Sequence, residues 1–317
     1  MRQLSIPLLT DKPVAAMGVG AMPLSNARSD GTLIPRDDAI ALLHHCFDAG
    51  MTLVDTADIY APEGYGYGHN EELVGEAVRT WSGGRDNLVV VTKIGITRSP
   101  APDGGDEVWG RDNSREHLLA AAEASVTRLG LVPDAILMHR VNREQMPFAA
   151  AVENILAVRE AGFAPRIGIG NVHLDECETA WDVSGGTICG VENERSPRFR
   201  EDTDVLTWAV AHGVAYFPWS PLGGGDDASR LAELYPEFAA VAAEVSASSG
   251  TPVSAQQVAL AWLSAAGGSV VPIPGFTRTS TADASAAAAA LELSGEQLAR
   301  LDASPTGRDS RFPDDED

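Results

Sequence analysis

Among its 317 residues the chain carries only two lysines, Lys12 and Lys93, and Lys93 closes a short apolar run, 88–93, just before Gly95. Such a run reads as a strand buried on both faces, and lysine is almost never fully buried without a partner. Its compact charge and shiftable pKa suit chemistry, where arginine suits bidentate clamping. Asp55 and His139 close two further apolar runs, 51–55 and 135–139, and Tyr60 follows Asp55 by five residues. A tyrosine ordinarily titrates near ~10. A nearby ammonium lowers that value, and a carboxylate holds the ammonium charged and in place. The phenol can then give or take a proton near neutral pH, while a histidine beside it donates a hydrogen bond to a substrate oxygen. An Asp, Tyr, Lys and His around one pocket would therefore polarise a carbonyl. The set has no electron source, so a cofactor must bring the hydride.

For these side chains to meet, the runs that carry them must end on one face. Apolar runs at 18–22, 51–55, 88–93, 135–139, 167–170, 188–193, 214–219 and 269–273 read as eight strands. Amphipathic segments alternate with them, opening at Pro35 and ending at Gly50, then 69–80, 114–129, 149–161, 174–182, 203–212, 236–248 and 254–265, with last helices at 282–290 and 294–301. A loop containing 100–105 leads to Trp109, and a hairpin is expected around Asp11-Lys12-Pro13. Strand and helix in eightfold alternation predict a (β/α)₈ barrel over 1–312, with an N-terminal β-hairpin and extra C-terminal helices, followed by an acidic tail at 313–317. The competing fold, a doubly wound sheet, opens a helix directly on a glycine-rich turn. Here Gly18 and Gly20 lack that spacing and the helix waits until Pro35. In a parallel barrel the C-terminal strand ends share one face, where the site is built; those ends include Asp55, Lys93, His139, Asn171, Glu192 and Trp219.

A net charge of -22 argues against nucleic acid or an anionic membrane as partner. No apolar stretch is long enough to span a bilayer, and the N-terminus lacks a signal peptide's apolar core and cleavage site. Three cysteines without a CxxC pair suit a reducing cytoplasm, and no metal site is expected. The partner expected is a small-molecule carbonyl compound; the oligomeric state stays open.

Several motifs together resemble the aldo-keto reductases: V-D-T-A-D-I-Y (54–60), G-H-N-E-E-L-V-G-E-A (68–77), V-T-K (91–93), I-L-M-H-R (136–140), I-G-I-G-N (167–171), V-E-N-E (191–194), P-W-S-P-L-G-G-G (218–225) and P-I-P-G (272–275). They occur in family order over nearly the whole chain. The resemblance implies an NADP(H)-dependent reductase, with NAD(H) as the alternative, in which Asp55, Tyr60, Lys93 and His139 are catalytic and Tyr60 is the general acid. It further implies that Trp219 stacks on the nicotinamide, that Ser220, Pro221, Leu222 and Gly223 wrap the pyrophosphate, and that Gly275, Phe276, Thr277 and Arg278 take the 2′-phosphate end, with Arg278 selecting NADP over NAD. Gly20, Met22, Gly170, Asn171, Glu192, Ile273, Thr281 and Ser285 complete the expected cofactor set.

The chain departs from the family pattern at Gly170 and Glu192, where Ser and Gln are usual, and at Thr281 and Ser285, where a basic residue and Asn are frequent. An ionised Glu192 could only accept hydrogen bonds and would favour the oxidised cofactor, unless it turned aside to pair with an arginine such as Arg195. Met22, Tyr65, Tyr67, Trp109 and Arg195 are candidate substrate-pocket residues. Two other readings remain at this level: a dinucleotide-binding regulatory protein with residual activity, and a Schiff-base barrel with Lys93 as nucleophile.

Overall fold

Strands rich in Val and Ile form the inner wall of the molecule. The computed structural model describes residues 1–27, 31–99, 107–306 and 310–311; the expected acidic tail at 313–317 and the 100–105 loop lie outside them. An antiparallel hairpin, β1 (Gln3–Leu4) with β2 (Val14–Ala15), comes first, as the Asp11-Lys12-Pro13 turn implied. The barrel then takes β3 (Val19–Gly20), β4 (Leu53–Asp55) and β5 (Val89–Ile94). A second antiparallel hairpin follows, β6 (Ile96–Ser99) with β7 (Val108–Arg111), standing out from the end of β5. The barrel resumes with β8 (Ala135–Met138), β9 (Ile167–Gly170), β10 (Ile188–Glu194) and β11 (Ala215–Trp219).

All seven barrel strands are parallel, in the order β11-β10-β9-β8-β5-β4-β3. The eighth wall differs from the strand expected at 269–273. It is an extended segment that touches its neighbours at two bridges, Tyr216 with Val270 and Gly20 with Gly275. Pro272 and Pro274 explain this, because proline has no N–H to give to a ladder. Their carbonyls still accept, from Gly18 N at 2.9 Å and Gly20 N at 2.9 Å, and so close the ring. The seam is tight enough to need glycine: a Cβ on Gly20 would stand 2.6 Å from the carbonyl oxygen of Ile273.

Helices α1 (Arg36–Asp48), α2 (His69–Thr80), α3 (Arg115–Leu129), α4 (Phe148–Glu160), α5 (Leu174–Ser184) and α6 (Thr203–His212) return the chain between strands. Ser114 starts α3 by accepting from His117 N. After β11 come α7 (Gly225–Ser229), α8 (Leu231–Leu234), α9 (Pro236–Ser249) and α10 (Ala255–Ala265). The two short helices α7 and α8 were not foreseen. The chain ends with α11 (Thr279–Ala288) and α12 (Gly295–Ala303); capping boxes at Ser254/Gln257 and Ser294/Gln297 open α10 and α12. Helix α11 begins three residues before the expected 282, since its alanine-rich run has no capping side chain to mark the start.

The core lies between strands and helices, where β5 and β8 are buried along their whole length. At the N-terminal face of the barrel, Lys12 of the first hairpin donates to Leu88 O (2.7 Å) and Asp134 Oδ1 (3.1 Å), just ahead of β5 and β8. The opposite face carries the candidate chemistry.

Candidate active site

Neighbouring strands bring the expected residues together. Register pairs Asp55 on β4 with Val91 on β5, two residues before Lys93, and Ile94 with Met138 on β8, one residue before His139. Lys93 Nζ donates to Asp55 Oδ1 at 2.7 Å and Oδ2 at 2.6 Å, with Lys93 1% and Asp55 4% exposed. Tyr60 sits in the turn after β4, which Asn70 of α2 holds. Asn70 N donates to Tyr60 O at 3.0 Å, its side chain accepts from Thr56 Oγ1 at 2.7 Å, and it donates to Ala21 O at 2.8 Å. Lys93 Nζ stands 5.1 Å from the centre of the Tyr60 ring. The His139 ring meets that ring edge-on, with centroids 5.7 Å apart. Asp55, Tyr60, Lys93 and His139 thus form one cluster.

The electrostatics of the cluster follow from burial. Burial works against the Lys93 ammonium, but Asp55 and then Glu192 outweigh it and hold Lys93 above an ordinary lysine. His139 is held well below an ordinary imidazole by burial, then by Lys93, Arg140 and Arg111, so it is neutral and can donate one hydrogen bond. Its Nδ1 is buried without a partner among the described residues. Tyr60 differs from the sequence expectation. Burial raises the phenol above its ordinary value, and the lowering pull of Lys93 is the smaller effect. Tyr60 is therefore a proton-bearing group throughout the neutral range.

Glu192 joins the cluster from β10. Its Oε1 lies 3.1 Å from Lys93 Nζ, and it is 3% exposed. The alternative pairing with Arg195 does not occur. Arg195 turns away, donating to Asp202 Oδ1 at 2.9 Å and lying over Trp262 at 5.7 Å, so it also leaves the set of candidate substrate-pocket residues. Gly170 faces Glu192 across the β9–β10 ladder.

The remaining cofactor candidates fall around the same rim. Trp219 ends β11 and donates from Nε1 to Asn171 Oδ1 at 3.0 Å; Asn171 Nδ2 donates to His139 O at 2.9 Å. Asn171 and Ser220 are the non-glycine residues with positive φ, 56° and 46°, among those described. Ser220, Pro221, Leu222 and Gly223 form a turn closed by Gly223 N donating to Ser220 O at 2.8 Å. Gly20 and Met22 lie at the end of β3, beside the closing segment with Ile273 and Gly275. Phe276 is buried, Thr277 and Arg278 are exposed, and Arg278 stands just before α11 without a side-chain cap bond. Thr281 Oγ1 donates to Arg278 O at 2.8 Å, whereas Ser285 is buried on α11.

Of the pocket candidates, Tyr65 is 50% and Trp109 53% exposed. The Tyr67 hydroxyl accepts from Arg98 N at 2.7 Å. Arg98 is a residue that sequence reasoning missed. Its guanidinium donates to Ala61 O and Pro62 O, both at 3.0 Å, and lies 5.3 Å from the Trp109 ring, tying the loop after Tyr60 to the β6–β7 hairpin. Arg311 was missed too. Its guanidinium donates to Ser220 Oγ at 2.9 Å, and its backbone N donates to Glu194 Oε2 at 2.9 Å. No local pattern could signal a contact made from the far end of the chain.

The model of the Aldo/keto reductase family matches residues 16–305. The chain belongs to the aldo/keto reductase family. Among curated relatives it is 32% identical over 302 residues to pyridoxine 4-dehydrogenase of Escherichia coli (strain K12), covering 93% of this chain and 96% of that one. It is 27% identical over 321 residues to a probable aldo-keto reductase 1 of Glycine max, covering 93% and 86%. Among solved structures, an aldo-keto reductase from Klebsiella pneumoniae in complex with NADPH superposes with a TM-score of 0.73 at 25% identity, covering 95% of each chain. A glycerol dehydrogenase from Gluconobacter oxydans, at 19% identity and a TM-score of 0.74, shares the fold. The protein is accordingly an oxidoreductase of the aldo/keto reductase type.

Proposed function

We propose that this aldo/keto reductase reduces an aldehyde or ketone to the alcohol with NADPH, and that Tyr60 gives the proton. The observation that carries the reading is the buried Asp55–Lys93 pair set against the Tyr60 ring, with neutral His139 edge-on to it. The residues present fit a nicotinamide dinucleotide. Trp219 offers a ring face at the rim, the 220–224 turn has left-handed φ at Ser220, Gly223 and Gly224, and Arg311 places a cation on Ser220. Glu192 Oε2 and His139 Nδ1 are buried polar atoms awaiting partners. Bound there, the cofactor supplies a hydride.

Within this chain, His139 and the Tyr60 hydroxyl would hold the substrate oxygen by hydrogen bonds. Tyr60 transfers its proton as negative charge develops on that oxygen. Lys93 then stabilises the phenolate left behind, and Asp55 keeps Lys93 charged and fixed. The Asp55 carboxylate speaks against Lys93 as a Schiff-base nucleophile, which needs a free amine. Arg278 is the proposed 2′-phosphate ligand, and NAD(H) the alternative cofactor. The three cysteines are free and buried, in keeping with a cytoplasmic setting, and no described helix is long and apolar enough to cross a membrane.

The test couples NADPH oxidation to a panel of carbonyl compounds, in the native enzyme and in Tyr60→Phe. Turnover in the variant should fall by about 10²–10⁴, the range for loss of a general acid, while NADPH still quenches tryptophan fluorescence. A kcat near the native value would overturn the assignment of Tyr60.

A further inference from the structure

Glu192 takes no part in the proton transfer described above, yet it is built into its centre. Lys93 Nζ is shared by two carboxyl groups, with Asp55 at 2.6–2.7 Å and Glu192 at 3.1 Å, all at 1–4% exposure. The other titratable groups of the cluster are Tyr60, from the turn after β4, and His139, from the end of β8. The strands on either side of β10 present Gly170 and Phe217 opposite Glu192, neither charged. Tyr60 and His139 are both neutral. The local count is therefore one ammonium against two carboxyls. With both ionised, a water-poor pocket would carry a net negative charge, which buried carboxyl pairs avoid by keeping a proton.

Burial raises both carboxyls, and they also share a hydrogen bond that lowers Asp55 and raises Glu192, so one proton belongs to the pair and Glu192 is the partner that keeps it. The geometry agrees. Asp55 gives both its oxygens to Lys93 at short distance. Glu192 gives one oxygen, farther off, and its Oε2 is buried with no partner among the described residues. A proton on Oε2 is remote from the ammonium, where a proton on Asp55 would break a two-oxygen contact.

We propose that Glu192 is a positioning residue that stays protonated at neutral pH, donating from Oε2 to the nicotinamide carboxamide and leaving the Lys93 charge to Tyr60, and that its ionisation in alkali shifts the site towards the oxidised cofactor. Burial first, then Asp55, pushes the Glu192 carboxyl up to about 8, which places the change just above neutrality. The protonated carboxyl offers a donor and an acceptor, as an amide would. Ionised, it adds a second negative charge beside Lys93 and near a nicotinamide that is cationic only when oxidised. Coulomb attraction then tightens NADP⁺ over NADPH, and the same charge opposes formation of the Tyr60 phenolate.

The inference rests on nicotinamide-cofactor binding as read above, so two readouts are needed. Dissociation constants of NADP⁺ and NADPH are measured by tryptophan quenching between about pH 6.5 and about pH 9.5, in the native protein and Glu192→Gln. The native Kd ratio, NADP⁺ over NADPH, should fall about tenfold or more across the titration, the effect of one unit of coupling between ligand charge and carboxyl. In Glu192→Gln it should stay flat at the native low-pH value. Equal pH dependence in the two proteins, or a glutamine variant that already differs about tenfold at pH 6.5, overturns the proposal. Infrared difference spectroscopy without cofactor gives the second readout. A protonated-carboxyl band that disappears as pH rises through about 8, and is missing from Glu192→Gln, is expected. Its absence in the native protein overturns the proposal whatever the cofactor does. Failure of either dinucleotide to bind at any pH, with the band present, would instead sink the cofactor reading and with it the carboxamide role of Glu192.

Discussion

Replacing Lys93 with methionine keeps the unbranched stem as far as Cε and removes the charged nitrogen on which two buried carboxyls depend. Asp55 and Glu192 would then face each other without a cation, at 4% and 3% exposure. Glu192 already tends to hold a proton, so the new demand falls on Asp55. It must ionise in an apolar pocket or take up a proton on folding. Holding a proton at pH 7 on a carboxyl that titrates near ~3.9 when unfolded costs about 1.4 × 3, or ~4 kcal/mol. The same cost at pH 5 is ~1.5 kcal/mol. The sign follows from linkage: a carboxyl raised in the folded state binds more protons folded than unfolded. Stability is then greatest below the unfolded value and is lost as pH rises. Relative to the native protein, Lys93→Met should therefore lose a further ~1.4 kcal/mol per pH unit between about pH 5 and pH 7. Urea titrations at each pH, followed by tryptophan fluorescence, measure the difference. A destabilisation that is constant with pH would mean that water reaches Asp55 in the variant and that the pocket is not the closed environment described.

Gly20→Ala should lower the urea midpoint, with a loss of about 1–3 kcal/mol, because the added Cβ meets backbone rather than a movable side chain; an unchanged midpoint would show that the barrel seam can open at no cost. Arg278→Ala should weaken NADPH much more than NADH in fluorescence titrations, since only the former offers a 2′-phosphate to a guanidinium. Equal losses would reduce Arg278 to a surface charge at the start of α11.

The sequence made the chemistry legible where a strand and its last residue carry one message. Asp55, Lys93 and His139 each follow a Val-, Ile- or Leu-rich run, and the parallel barrel turns that pattern into proximity. Helices α2 and α6 were readable to the residue, with Gly68 just before α2 and Asp202 and Gly213 flanking α6. The β6–β7 hairpin was not readable. Thr97, Arg98, Trp109 and Arg111 show no buried alternation, and the pairing that makes them strands spans a long connection. The eighth wall was legible as an apolar run but not as a broken ladder, although Pro272 and Pro274 were the signal. At the site, the direction of the Lys93 effect on Tyr60 followed from charge alone. Its outcome depended on burial, a property of the assembled pocket. The contacts of Glu192 with Lys93 and of Arg311 with Ser220 join distant segments and left no trace in local spacing.

The scarcity of lysine has a practical side. Lys93 is enclosed at the catalytic face, and Lys12 lies at the other end of the barrel, its side chain 31% exposed beside Asp134. The described surface thus offers its lysine amine on the base alone. An amine-reactive resin or dye would attach there, and a tethered enzyme would present its catalytic rim to the solution in one orientation. That direction arises from a composition that puts arginine almost everywhere else.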